Sequence, residues 1–178
     1  MRRADPEKLY YALQFFLFMP TWVVVSVYLV RVLHLSPLQL VLMGTAMEAA
    51  VVLGEIPTGV VADTYSRRLS LIIGYVGTGA AWMLLGVFTA PWAITALWAF
   101  WGLAYTFTSG AYQAWLSDEV GADKVGRIFL RGARIRYAGA VVGLFAQVGL
   151  GLLSLRASVI AGGAVTAACG GACIFVMP

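Results

Sequence analysis

Long unbroken apolar runs separated by short polar breaks dominate this chain, and they constrain its fold more than any other feature. A helix needs roughly 20 apolar residues to cross the hydrocarbon core of a bilayer. No water is available there for backbone N–H and C=O groups, so only helices and closed barrels cross. Barrel strands alternate apolar and polar residues, and these runs do not. Composition points the same way. Of 178 residues, 61% are hydrophobic and 11% are charged, against about 25% charged in a soluble domain. A soluble chain of this kind would expose its apolar surface and aggregate. The expected class is all-α, a polytopic membrane helix bundle.

Hydropathy places six spans, at 10–33, 38–61, 69–88, 92–116, 137–155 and 159–177. Between them lie a turn around Pro37, a polar loop at 63–68, a tight turn at 89–91, a longer polar segment at 117–136 and a turn at 156–158. The first run follows Arg2, Arg3 and Lys8 without a small-residue cleavage site, so it reads as a membrane helix and not a removed signal peptide. Successive breaks must fall on opposite sides of the membrane. One side then carries Arg2, Arg3, Lys8, Arg67, Arg68, Lys124, Arg127, Arg131, Arg134 and Arg136, and the other carries Arg31 and Arg156. Ten basic residues against two put the first side, and the N-terminus, in the cytoplasm. The net charge of +4 therefore reads as orientation in the membrane and not as nucleic-acid binding. The expected location is the cell membrane, multi-pass, of the bacterial inner-membrane kind.

Glycine crowds the fifth span at Gly139, Gly143, Gly149 and Gly151, and the sixth at Gly162, Gly163, Gly170 and Gly171. Small residues let helix backbones approach closely in lipid, so a packing role is expected. Cys169 and Cys173 lie one helical turn apart inside an apolar run and read as buried thiols, not a metal pair or redox switch. The lone histidine, His34, falls in an outside turn, and no metal-ligand spacing is present. No phosphate-cradling glycine loop precedes a basic residue, so ATP is not expected to drive this protein directly. Neither an enzyme nor a cofactor is expected.

The strongest chemical signal follows the second span, in Gly59-Val60-Val61-Ala62-Asp63-Thr64-Tyr65-Ser66-Arg67-Arg68. A glycine ends the helix, an acid follows four residues on, and a basic pair begins four residues after that. A carboxylate at a helix end can meet the helix dipole and nearby guanidinium groups. The segment resembles the signature loop of the major facilitator superfamily, in which Gly, Asp and an Arg pair recur between the second and third helices. Gly59, Asp63, Arg67 and Arg68 match, while Ser66 stands where the family usually has glycine, which implies a different turn. Glu55-Ile56-Pro57-Thr58-Gly59 resembles the drug-efflux-like members, and so does the fourth span from Trp101 to Ala111 with Ala114-Trp115-Leu116-Ser117-Asp118. Many members carry a basic residue early in that fourth helix. None stands between Trp92 and Leu116, so no coupling role is carried over from it. Both ends of the polar loop fall on the cytoplasmic edge. Asp63 is expected beside Arg67 or Arg68, and one of these arginines is expected to reach Asp118, making a conformational gate of Gly59, Asp63, Arg67, Arg68 and Asp118.

Glu48 and Glu55 lie inside the second span, seven residues apart and so on one helix face. A charge at that depth is costly and usually faces a cavity or a partner. Glu48 is expected to face the bundle interior, as a proton-coupling carboxylate or a site for a substrate cation. The competing reading, stronger for Glu55 near the cytoplasmic end, is a structural carboxylate bonded to neighbouring helices. Other polar residues gather on the first span (Tyr11, Gln14, Thr21, Ser26, Tyr28) and the fourth (Tyr105, Thr106, Thr108, Ser109, Tyr112, Gln113), with Gln147 on the fifth. Trp22, Trp92, Trp98 and Trp101 read equally well as interfacial anchors. The resemblance implies that the first and fourth helices line a central pathway, that the second and fifth flank it, and that the third and sixth sit outside. The pathway candidates are Glu48, Glu55, Gln14, Tyr105 and Gln147.

Taken together, residues 1–178 resemble the N-terminal six-helix half of a major facilitator fold, built as two three-helix repeats. Such a transporter moves a small molecule by alternating access, here expected as proton-coupled efflux. The implied partners are the lipid bilayer, a small-molecule substrate, protons, and the missing C-terminal half or a second copy, but no nucleic acid. The chain ends at Pro178 directly after an apolar run, which reads as an interrupted longer protein. The alternative is a truncated non-transporting membrane bundle or a self-associating half-transporter.

Overall fold

A computed structural model describes residues 5–19 and 22–177. Arg2, Arg3, Thr21 and Pro178, on which parts of the sequence reading rest, lie outside the described residues. The described secondary structure consists of eight α-helices. These are α1 (Pro6–Leu17), α2 (Trp22–Arg31), α3 (Pro37–Thr64), α4 (Arg67–Leu85), α5 (Pro91–Thr106), α6 (Ala111–Val120), α7 (Ala122–Leu153) and α8 (Leu155–Val176). Four of them, α3, α4, α7 and α8, are long and apolar enough to cross a membrane.

Side-chain caps start several of these helices, by accepting hydrogen bonds from N–H groups that have no partner within the helix. Asp5 accepts from the Glu7 N–H at 3.0 Å, with Pro6 at the first helical position of α1. Ser36 and Gln39 form a capping box at the start of α3, again with Pro following the cap. Ser66 caps α4 through the Leu69 N–H at 3.3 Å, and Ser154 caps α8 through the Ala157 N–H at 3.2 Å. Ser66 has φ −172°, an extended conformation that any residue adopts, so glycine's freedom is not needed there and the hydroxyl adds a cap.

Three sequence expectations change. The run 10–33 is two helices, α1 and α2, because α1 closes at Phe18. The run 92–116 is also two, broken between Thr106 and Ala111 at Gly110, whose φ of +73° favours glycine. The Phe107 carbonyl at that break accepts from the Ser70 hydroxyl of α4 at 2.7 Å, so the break does not orphan that carbonyl. The polar segment 117–136 is helical apart from Gly121, with φ +85°. Its charges resemble a loop in composition, but they decorate the exposed face of a helix that continues into the apolar run.

Packing follows the small residues. The tightest pairings are α4 on α8 and α3 on α5, with α7 lying against α1. A methyl group added at Gly163 would come 2.7 Å from the Gly79 carbonyl, and one at Gly102 would come 2.6 Å from the Met47 carbonyl. Gly139 and Gly143 meet the backbones of Phe15 and Met19, and Gly132 meets the Tyr10 ring. Gly149 and Gly171 have no such neighbour. Two separate cores result. One gathers Val25, Tyr28, Leu29, Met43, Leu85, Ile94 and Val159. The other gathers Leu9, Tyr10, Leu13, Leu71, Tyr75, Trp115, Leu116 and Ile128.

Candidate functional site

The second core lies beside two polar features. The first is a charge junction where three helix ends meet. The α3 helix ends at Thr64, only two residues separate it from α4, and Asp118 sits near the end of α6. Arg67 lies 3.9 Å from Asp63, one turn back across that link, and pairs directly with Asp118. Arg68 donates instead to the Ile174 carbonyl near the end of α8. Helix dipoles do not explain this arrangement. Anions are favoured at helix N-termini and cations at C-termini. Here Asp63 and Asp118 sit near C-terminal ends and Arg67 at an N-terminal one, so each charge opposes its own helix and is compensated by the others. The Arg67 side chain is 31% exposed and Asp118 66%. At that exposure an ion pair adds about 0–1 kcal/mol, so the junction matters for geometry more than for stability.

The second feature is a cavity of about 430 Å³. Tyr10 and Gln14 of α1, Tyr112 and Gln113 of α6, and Phe129, Ala133 and Arg136 of α7 line it. Tyr10 and Tyr112 stack with centroids 5.2 Å apart, and the Tyr112 hydroxyl donates to the Tyr10 carbonyl at 3.3 Å. Trp115 stacks beyond Tyr112 at 6.5 Å, and Tyr75 meets Tyr112 edge-on at 6.4 Å. Arg136 lies 5.1 Å from the Phe18 ring and 5.3 Å from that of Tyr137. Among the described residues, the buried side-chain polar atoms without a partner are Gln14 Oε1 and Trp115 Nε1.

A model of the Major Facilitator Superfamily matches residues 9–178. The chain belongs to that superfamily. It is 25% identical over 110 residues to the uncharacterized MFS-type transporter YxaM of Bacillus subtilis, covering 62% of this chain and 28% of that protein. It is 34% identical over 108 residues to the uncharacterized MFS-type transporter MJ1317 of Methanocaldococcus jannaschii, covering 61% of this chain and 24% of that protein. The matched part is thus about a quarter of each relative's length. Family membership and the apolar helices together make this a multi-pass membrane protein.

Within this superfamily chain, the structure brings some of the sequence candidates together and not others. Asp63, Arg67 and Asp118 share the junction, with Arg68 beside it. Gly59 does not end its helix, as the sequence reading had it. The α3 ladder runs on to Thr64, where Tyr65 caps it through the Val61 carbonyl. Gln14 reaches the cavity and is 7% exposed. Tyr105 is exposed on α5 and Gln147 is buried between α7 and α8, where its side chain and carbonyl both accept from the Ser158 hydroxyl. Neither of the two lines the cavity.

Glu48 does not line the cavity. It is exposed on α3, as is Glu55, and neither carboxylate has a hydrogen-bond or ion-pair partner among the described residues. The α3 helix is packed along Met43, Gly54, Thr58 and Ala62, and both acids sit off that line. Arg136 was the residue missed. Counting charges by side of the membrane hid it among the other basic residues of its segment. A helical projection would have separated it, because Lys124, Arg127, Arg131 and Arg134 follow one stripe and Arg136 falls roughly opposite.

Proposed function

We propose that this chain is half of a secondary transporter, crossing the membrane six times with its N-terminus in the cytoplasm. In this reading α1 with α2, and α5 with α6, each make one broken span, and the two three-helix repeats meet at the Arg67 junction. Broken helices in transporters are tolerated where they line a cavity, and α1 and α6 line this one. The observation that carries the proposal is Arg67 held between Asp63 and Asp118, charges from different helices whose pairing the helix dipoles disfavour. A weak, exposed latch of this kind can open and close as the cytoplasmic edge rearranges. The exposed apolar faces of α3 and α7, with Leu53 and Ile56 on one and Phe145 and Leu152 on the other, need lipid, a second half or a second copy to cover them. Transport is read as proton-coupled efflux of a small molecule, with Glu48 and Glu55 as coupling carboxylates facing the second half.

Everted membrane vesicles holding the protein and a pH gradient test this. Addition of a transported solute should dissipate the gradient, reported by recovery of a pH-sensitive dye. Asp118→Ala should reduce that response about tenfold or more while the protein remains in the membrane. A folded, membrane-inserted chain that gives no gradient-linked flux across a broad solute panel would leave the non-transporting bundle as the better reading.

A further inference from the structure

Among the described residues, the cavity beside α1, α6 and α7 is lined by one full charge, the positive Arg136. Arg136 is half-buried and has no acid within ion-pair distance among the described residues. The nearby acid Glu7 is taken by Tyr11, whose hydroxyl donates to it at 2.8 Å, and by Arg131 at 3.8 Å. The contacts that Arg136 does make are with ring faces, those of Phe18 and Tyr137. Ring faces stabilise the guanidinium plane and leave its N–H edge free to donate. Arginine cannot shed its proton to relieve burial. A permanent cation at a cavity in a membrane protein, with its donors uncommitted among the described residues, is suited to take an anion.

Two further observations narrow the ligand. The Tyr10 and Tyr112 rings lie stacked in the cavity wall, and Phe129 lines it too at 5.8 Å from Tyr10. Such a wall favours a flat, conjugated body over a branched aliphatic one. Gln14 is 7% exposed; its side chain interacts with the Tyr10 and Tyr112 hydroxyls, and its Oε1 is left without a partner among the described residues. A buried acceptor left empty is costly, and a ligand that supplies an O–H or N–H relieves it. We propose that this cavity selects small aromatic carboxylates bearing a neutral hydrogen-bond donor. Arg136 holds the carboxylate, the Tyr10, Tyr112 and Phe129 side chains border the ring, and Gln14 accepts from the donor. The proposal builds on the transporter reading, since the ligand would be its substrate, but it is decided by binding and not by flux. It also runs against a substrate cation, because no acid lines this cavity.

Equilibrium binding to the full chain in lipid nanodiscs tests it, with radiolabelled para-hydroxybenzoate displaced by unlabelled competitors. The uncharged para-hydroxybenzamide and the cationic para-hydroxybenzylamine should each compete about ten- to a hundredfold more weakly than the acid, the range for losing a hydrogen bond to a charged group. Benzoate, lacking the donor, should fall between. Arg136→Gln should weaken the acid by a similar factor and leave the affinity for the amide unchanged. Arg136→Lys, which keeps the charge, should retain the preference for acid over amide. Equal competition by amide and acid in the unaltered protein overturns the proposal without recourse to any variant, as does tighter binding of the amine. Absence of saturable binding by para-hydroxybenzoate and benzoate also overturns it, while leaving the flux measurement to decide transport separately.

Discussion

The two cores of this bundle are built on different principles. The core around Tyr28, Leu29, Ile94 and Val159 is mostly aliphatic, with Trp82 and Trp98 packed against it, and the buried Tyr28 hydroxyl donates to the Leu85 carbonyl at 3.3 Å. Short connections bound it, at His34 and at the link from α7 to α8. The core around Tyr10, Tyr75, Tyr112 and Trp115 is aromatic, abuts the cavity, leaves two buried polar atoms without a partner, and has exposed charges beside it. Close-packed aliphatic contacts resist rearrangement, because any shift loses many small attractions at once. Stacked rings beside a void, with exposed ion pairs nearby, can rearrange at lower cost. In the transporter reading, the first core would serve as the fixed base and the second as the part that moves.

Three measurements would break or sharpen this contrast. The largest effect is all-or-none. If the two cores lie toward opposite membrane faces, reporter fusions after Thr89 and after Gly121 should give opposite activities, the first outside and the second cytoplasmic. The same side for both would refute the two-ended reading and the six-span topology with it. Next comes Gly163→Val at the contact of α4 with α8. Its added carbon would press on the Gly79 carbonyl and the Met83 backbone, and overpacking against backbone should cost about 3 kcal/mol or more. Thermal unfolding in detergent, followed by size-exclusion fluorescence, should show a large drop in midpoint; an unchanged midpoint would mean that these helices do not meet there. The smallest effect is expected from Asp118→Ala. With Asp118 two-thirds exposed, stability should change by no more than about 1 kcal/mol. A loss comparable to that of Gly163→Val would make the junction structural and erase the difference between the ends.

Much of the fold could be read from hydropathy, since every apolar run became helix. The breaks within two of those runs could not. A hydropathy window averages across Phe18–Met19 and Phe107–Gly110, and glycine at 110 looks no different from the packing glycines around it. The segment 117–136 misled in the opposite way, because charge was taken for irregular structure when a basic stripe at helical spacing was already present in Lys124, Arg127, Arg131 and Arg134. Of the site, Asp63 and Arg67 were accessible through their four-residue spacing. Asp118 is 51 residues from Arg67 and could be placed near it only by assigning both to one side of the membrane. Glu48 shows the limit of such reasoning. Seven-residue spacing says that two side chains share a face, but not what, if anything, covers that face.

The short α6 helix has one more consequence. It has ten residues, about 15 Å of rod, between Gly110 and Gly121, the glycines with positive φ among the described residues. Near one end it presents Tyr112 and Gln113 to the cavity, and near the other it carries Asp118 to Arg67. A stiff segment between two swivels behaves as a lever. If the transporter reading holds, seating a ligand against Tyr112 would be felt at the Asp118 carboxylate, because a turn and a half of one short helix joins the two.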